Sequence, residues 1–142
     1  MASTLLVAVD FEEASRRAID YAKQLAPPLG ATLTLVHVYQ LPVYTYPGLD
    51  PAILPGFHHE VTVAAREAIE QLARAVDVQG ALLREGDPAT EILEAARACG
   101  AWMIIMGTHG RRGLTHALLG SVAEKVIRHS DLPVLTLRAQ AT

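Results

Sequence analysis

The residues best suited to chemistry in this sequence are the glycines spaced between positions 107 and 120. They follow an apolar run that ends at Met106 and precede a predicted helix from Ser121 to His129. Glycine lets a backbone come close to a ligand, and a helix start offers unpaired N–H groups and a partial positive charge. A strand, a glycine-rich loop and a helix in this order predict a site for a phosphorylated ligand.

The spacing of these glycines matches neither of the two common nucleotide fingerprints. Gly107, Gly110 and Gly113 read as G-x-x-G-x-x-G rather than G-x-G-x-x-G, and they lie late in the chain. A Walker loop requires a lysine before its Ser or Thr, whereas Ser121 follows Gly120 directly. The loop therefore disfavours both a P-loop NTPase and a dinucleotide-dependent dehydrogenase.

Composition limits the class of protein. A chain of 142 residues with 51% hydrophobic and 19% charged residues is expected to form one globular domain. The net charge of −3 gives no electrostatic basis for binding nucleic acid or a membrane. The apolar run from Leu5 to Val9 is too short to span a bilayer and has no basic leader. A single cysteine, Cys99, fits a reducing cytoplasmic location.

Apolar runs of strand length alternate with segments of helical periodicity. This alternation predicts five strands and four helices in one open parallel α/β sheet with helices on both faces. The predicted strands cover residues 4–9, 32–39, 78–84, 101–106 and 133–137, and the predicted helices cover residues 14–29, 61–76, 89–99 and 121–129. Residues 40–57 form a long connection with four prolines, which is typical of either a lid or a surface loop.

The segments that follow the first and fourth predicted strands meet if the strand order is 3-2-1-4-5. In that order the first and fourth strands are neighbours, and ligands bind outside their carboxyl ends, where the strand order reverses. Asp10 follows the first strand and Gly107 follows the fourth. The two residues would then face each other across the crevice.

The glycine loop and its flanks resemble the universal stress protein family. ATP-binding members of that family carry G-x-x-G, nine residues and then G-Ser or G-Thr, and Gly107, Gly110 and Gly120-Ser121 reproduce this spacing. The opening 6–10 and the ending 126–137 also resemble the family, although Glu12 stands where the family often has serine. The resemblance implies a single domain over residues 1–142, with an adenine-nucleotide α-hydrolase-like fold in the order 3-2-1-4-5.

The resemblance also implies which residues bind ATP, AMP or ADP. A Mg²⁺ ion could then bind through the nucleotide phosphates and water. Those from the first, second and fourth strands would surround the adenosine, and those from the loop and the last helix would hold the phosphates. The implied binding residues are Val9, Asp10, Val38, Met106, Gly107, His109, Gly110, Arg111, Gly120, Ser121 and Val122.

Some of these residues have a structural explanation as well. Asp10 with Glu13, and Ser121 with its own acidic partner at 124, have the spacing of a helix capping box. The neighbouring His58 and His59 would point in different directions on a helix, so a shared metal ion is not expected. His37 lies between two valines in a predicted strand and is expected to be a packed histidine.

No catalytic set is recognisable, because Ser-His-Asp, Cys–His and H-E-x-x-H patterns are all missing. Phosphoryl transfer would need a carboxylate for Mg²⁺ and a group that positions water, and Asp10 is the only acidic candidate at the strand ends. The missing motifs predict a nucleotide-binding regulatory protein with little or no turnover, and the resemblance implies a role in the stress response. The alternatives are a slow ATPase or another enzyme of the wider superfamily, and an interaction protein that binds no nucleotide.

The last predicted strand suggests an assembly. Residues 133–137 carry no charge and would lie at a sheet edge, where unpaired N–H and C=O groups need protection. Antiparallel pairing with a second copy about a two-fold axis would supply it. The resemblance points the same way, so a homodimer through this strand is expected.

Overall fold

The computed structural model describes residues 3–40, 54–108 and 120–139, in which strands and helices alternate. The elements are β1 (Ser3–Ala8), α1 (Glu13–Leu29), β2 (Ala31–Tyr39), α2 (Leu54–Ala75), β3 (Gly80–Glu85), α3 (Pro88–Ala98), β4 (Ala101–Gly107), α4 (Ser121–His129) and β5 (Val134–Leu137). None of the helices within these ranges is long and apolar enough to cross a membrane.

The strands form one parallel sheet in the order β3-β2-β1-β4-β5, which confirms the predicted fold class. From β1 the chain winds outward through β2 to β3, and then returns across the sheet to β4 and β5 on the other side. The winding direction therefore reverses between β1 and β4. The carboxyl ends of these two strands form a crevice at that point.

The central strand β1 is buried on both faces. Leu5 and Val7 pack with α1 and α2, whereas Leu6 and Ala8 pack with α3 and α4. This arrangement explains why the segment reads as a nearly continuous apolar run rather than as an alternation. Because both faces of the strand are covered, a ligand can reach it only at its ends, and in open parallel sheets ligands bind at the carboxyl end.

The end of β4 and the start of α1 approach each other more closely than side chains allow. A Cβ atom added at Gly107 would lie 2.6 Å from both the carbonyl carbon and the Cβ of Ala14. The glycine thus lets the first turn of α1 pack directly on the strand. This contact fixes the β1–α1 turn, which carries Asp10, beside the end of β4.

One predicted element differs clearly from the structure. Helix α2 begins at Leu54 rather than at residue 61, so the long connection predicted for residues 40–57 is shorter. Pro55 and Gly56 fall within the predicted connection but lie in the first turn of the helix, where a proline is tolerated because its missing N–H has no helical partner. Residues 41–53 lie outside the described ranges. The other boundaries agree to within two residues.

Helix α3 starts with an aspartate cap. Oδ2 of Asp87 accepts hydrogen bonds from the backbone N–H of Thr90 at 3.0 Å and from its hydroxyl at 2.8 Å. Both bonds stabilise the charged carboxylate and so hold the pKa of Asp87 below its ordinary value, and the bond from the backbone N–H has the larger effect. The cap thus orients α3, whose first turns border the crevice.

We expect Asp87→Ala to lower the free energy of unfolding by about 1 kcal/mol at neutral pH. Because the folded pKa is depressed, the charge-dependent part of this stability is present above the ordinary aspartate value of about 3.9 and disappears as the pH falls through the folded pKa. Urea unfolding at several pH values measures both effects. Asp87→Asn is the matched control, since it keeps a capping oxygen but should lose the pH dependence; equal midpoints for Asp87→Ala and wild type at pH 7 would contradict the expectation.

Candidate functional site

A cavity of about 170 Å³ opens at the carboxyl edge of the sheet, where the winding reverses. One of its walls is apolar and consists of Val36 and Val38 from β2 and of Pro88 and Ile92 from the first turns of α3. The two valines are two residues apart in a strand and therefore share the face that α3 covers. Such a wall suits a flat apolar ring.

The opposite wall consists of the end of β4 and the start of α4. Met106, Gly107 and Thr108 line it from the strand, and Gly120 and Val122 line it from the helix. The first N–H groups of a helix have no partner within the helix, and they carry a partial positive charge. This wall is therefore suited to an anionic group.

Asp10 lies between these walls, in the turn after β1. Its Oδ1 accepts hydrogen bonds from the backbone N–H of Glu12 at 3.0 Å and from the hydroxyl of Ser15 at 2.5 Å. The hydroxyl of Ser15 in turn accepts the backbone N–H of Asp10 at 2.9 Å. The carboxylate is thus held by its own turn at the mouth of the cavity.

Neither of the two capping boxes that the sequence spacing suggested is formed in the structure. The N-cap of α1 is Glu12, whose side chain makes no capping bond, because Asp10 closes the preceding turn instead. The N-cap of α4 is Gly120, which leaves Ser121 as the first helical residue. In both cases the helix starts one or two residues away from the position that the capping pattern predicts.

A second set of contacts supports the same turn from β2. The Nδ1 of His37 donates a hydrogen bond to the carbonyl oxygen of Val9 at 2.8 Å, which requires the proton to be on that nitrogen. The ring of Phe11 stands 4.6 Å from the imidazole at 59°. Phe11 has a φ of 65°, which is unusual for a residue other than glycine. His37 thus braces the turn that carries Asp10.

The structure brings most of the predicted binding residues together. The cavity is lined by Val9, Asp10, Val38, Met106, Gly107, Gly120 and Val122. Ser121 is exposed in the first turn of α4, next to the cavity lining. His109, Gly110 and Arg111 lie outside the described residues.

Sequence reasoning missed several lining residues. Val36 could have been found from Val38, because residues two apart in a strand share a face. Pro88 and Ile92 follow from the right-handed crossover that carries α3 back over β2 and β1. Ser15 had no sequence signal, because its role depends on the shape of the turn before it.

Metal ligands are not gathered in the part of the chain that the structure describes. No group of three His, Cys, Asp or Glu residues is close enough there to hold an ion. His58 instead contacts Glu85 at 3.0 Å, with both side chains more than 40% exposed. Among the described residues that line the cavity, Asp10 is the only carboxylate.

Comparison with known proteins finds relatives that match nearly the whole chain. The model of the universal stress protein family matches residues 1–138. A universal stress protein of Thermus aquaticus is 36% identical over 139 residues, which cover 97% of this chain and 100% of that protein. The solved structure of MJ0577 from Methanocaldococcus jannaschii is 26% identical with a TM-score of 0.79, and the match covers 100% and 99% of the two chains. A universal stress protein solved in complex with cAMP is 26% identical with a TM-score of 0.64, over 98% of each chain.

Proposed function

Because the chain belongs to the universal stress protein family, we propose that it binds an adenine nucleotide in the cavity between β1 and β4. The observation that carries the proposal is the order of the walls along the sheet edge: an apolar slot, a fixed carboxylate and a helix start. The relative that was solved with cAMP supports it, because that ligand has an adenine ring and a phosphate.

The strand order suggests how the nucleotide lies. The adenine would occupy the slot beside Val38 on the β2 side, and the sugar would lie near Asp10 and Met106 in the middle. The phosphates would extend toward Gly120 and the start of α4. The reverse orientation would place the phosphates in the apolar slot beside Val38, away from the N–H groups of the α4 start, and an anion without polar partners is costly there. His109, Gly110 and Arg111 remain proposed phosphate ligands.

ATP is the proposed ligand, with ADP and AMP as its other forms, and Mg²⁺ would be held through the phosphates and water. Mass spectrometry of the purified and denatured protein tests the proposal, because a bound nucleotide is released on unfolding. Recovery of ATP, ADP or AMP in an amount comparable to that of the protein supports it. The proposed role is regulatory, in the cytoplasm, which the single cysteine favours.

We expect little or no turnover of the bound nucleotide. Phosphoryl transfer requires a metal-binding carboxylate and a water-positioning group at the phosphates, whereas Asp10 lies at the sugar end of the proposed site. Single-turnover assays with Mg²⁺ or Mn²⁺ measure ADP formation directly. Hydrolysis at about 1 s⁻¹ or faster, which is within the ordinary enzyme range, would contradict the regulatory role.

We also propose that the protein forms a homodimer through β5. The carbonyl of Pro133 accepts the N–H of Ile104 in β4, and the carbonyl of Leu137 accepts the N–H of the residue that follows β4. By strand alternation the N–H groups of Val134 and Thr136 therefore point to the open edge. Leu135 and Leu137 pack with the α1 face of the sheet, and Val134 packs with the α4 face. A second copy of β5 could thus pair with the edge without disturbing the sheet.

Thr136→Pro tests the dimer at this edge. Proline removes an N–H group that points away from β4, so we expect dissociation to monomers with the sheet retained. Light scattering at micromolar concentration measures the mass, and circular dichroism checks the fold. A wild-type protein that is monomeric under these conditions would rule out the proposed dimer.

A further inference from the structure

We propose that Ser15 is a positioning residue of the nucleotide site, which turns Asp10 toward the sugar and so makes the site selective for a ligand with free ribose hydroxyls. The inference rests on the proposed function. Ser15 lies in the first turn of α1 and is not part of the glycine-loop pattern between positions 107 and 121. Its basis is the set of hydrogen bonds around the Asp10 carboxylate.

The hydrogen bonds among the described residues use one carboxylate oxygen of Asp10 and leave the other available. Oδ1 of Asp10 accepts both the Ser15 hydroxyl at 2.5 Å and the Glu12 N–H at 3.0 Å. Oδ2 accepts no hydrogen bond from the residues that the structure describes. The hydroxyl of Ser15 donates its single hydrogen to Oδ1 and accepts a hydrogen bond from the backbone N–H of Asp10 at 2.9 Å. The pair thus forms a closed reciprocal contact that holds the carboxylate in one rotamer.

The packing of α1 keeps Ser15 in place. The serine is only 3% exposed and follows Ala14, whose backbone lies against Gly107 at the end of β4. The helix start can therefore move little toward or away from the turn. Asp10 itself is exposed at the cavity, so its orientation depends on this buried partner.

The Oδ2 oxygen, which none of the described residues engages, determines what the site can recognise. An ionised carboxylate accepts hydrogen bonds and donates none, so Oδ2 selects groups that carry O–H or N–H. Asp10 stands between the apolar slot and the start of α4, where the sugar of a nucleotide would lie. The donors in that part of a nucleotide are the 2′- and 3′-hydroxyls. A carboxylate that is already oriented loses less conformational freedom when it binds them.

The test compares ATP with 2′,3′-dideoxy-ATP by calorimetric titration. Wild type should prefer ATP by about tenfold or more, since hydrogen bonds to charged groups are worth a factor of this order. Ser15→Ala should weaken ATP binding by about tenfold and leave the affinity for the dideoxy analogue within about twofold. Ser15→Cys, which keeps the side-chain shape at a slightly larger volume but is a weak donor, should lose the same preference, and it guards against a folding defect that comes from the space left in the alanine variant.

Ser130 offers a matched control. Its hydroxyl also makes two local hydrogen bonds, as a donor to the Leu132 carbonyl at 2.8 Å and as an acceptor of the Leu132 N–H at 2.9 Å, but it does not line the cavity. Ser130→Ala should leave the ratio of the two affinities unchanged. In an Asp10→Ala background, Ser15→Ala should cause no further loss of preference, because the two residues act as one unit.

Each result decides the inference. Equal weakening of both ligands in Ser15→Ala would mean that the serine only supports the helix start, and an unchanged preference would mean that Asp10 is oriented without it. A wild-type protein that binds both ligands equally would overturn the inference and leave nucleotide binding intact. A wild-type protein that binds neither ligand would overturn the proposed function, and the inference with it.

Discussion

Replacing Gly120 by valine is expected to weaken ATP binding by about tenfold or more, which is about 1.4 kcal/mol of binding free energy. Gly120 is buried at the start of α4 and lines the cavity. Its φ of −57° and ψ of 153° are open to any residue, so backbone strain is not the reason for the effect. The loss comes from the side chain, which would occupy the space where the phosphates approach the helix start.

Calorimetry measures the affinity, and circular dichroism shows whether Gly120→Val keeps the fold. Gly56→Val is the control, because a Cβ there meets nothing within 4 Å and the residue, in the first turn of α2, is not among those that line the cavity. We expect the control to bind ATP as wild type does. A folded Gly120→Val protein with wild-type affinity would place the phosphates elsewhere.

The largest effect on stability is expected at Gly107. In Gly107→Ala the new Cβ would lie 2.6 Å from the carbonyl carbon and Cβ of Ala14 and 2.8 Å from its oxygen. Backbone atoms cannot rotate away, so α1 must shift, at a cost of about 1–3 kcal/mol. The melting temperature should fall by roughly 3 °C or more. ATP binding should weaken as well, because the shift moves the turn that carries Asp10.

Two further variants separate this packing effect from a general effect of alanine. Gly56→Ala should be neutral or stabilising, since the added methyl group meets nothing and alanine favours a helix. Ala14→Gly in the Gly107→Ala background should recover only part of the stability, because it removes one of the close contacts and leaves the backbone ones. Unfolding curves measure all of these changes. A Gly107→Ala protein as stable as wild type would refute the close-packing explanation.

The sheet could be predicted from the sequence because its central strands are covered on both faces. Leu5, Leu6 and Val7 are completely buried, and a short apolar run flanked by helical periodicity is what such a strand requires. The strand order came with the family resemblance in the glycine loop. The start of α2 could not be read in the same way, since Pro55 is compatible with both a loop and a first helical turn.

The candidate site was predictable in its position and only partly in its residues. Strand ends such as Val38 and Met106 follow directly from the topology. The turn that carries Asp10 could not be predicted in this way. It depends on Phe11 in the left-handed conformation, which residues other than glycine rarely adopt. Only the three-dimensional turn shows that Ser15, rather than Glu13, is the partner of Asp10.

Above all, we propose that this chain binds an adenine nucleotide at the edge of the sheet where the winding reverses between β1 and β4. Calorimetric titration of the nucleotide-free protein with ATP and Mg²⁺ tests it most directly. We expect saturable binding of one nucleotide per chain, with a melting temperature that rises with ATP concentration, because a ligand that binds only the folded state stabilises it. A titration without binding heat, together with a melting temperature that ATP does not change, would contradict the claim.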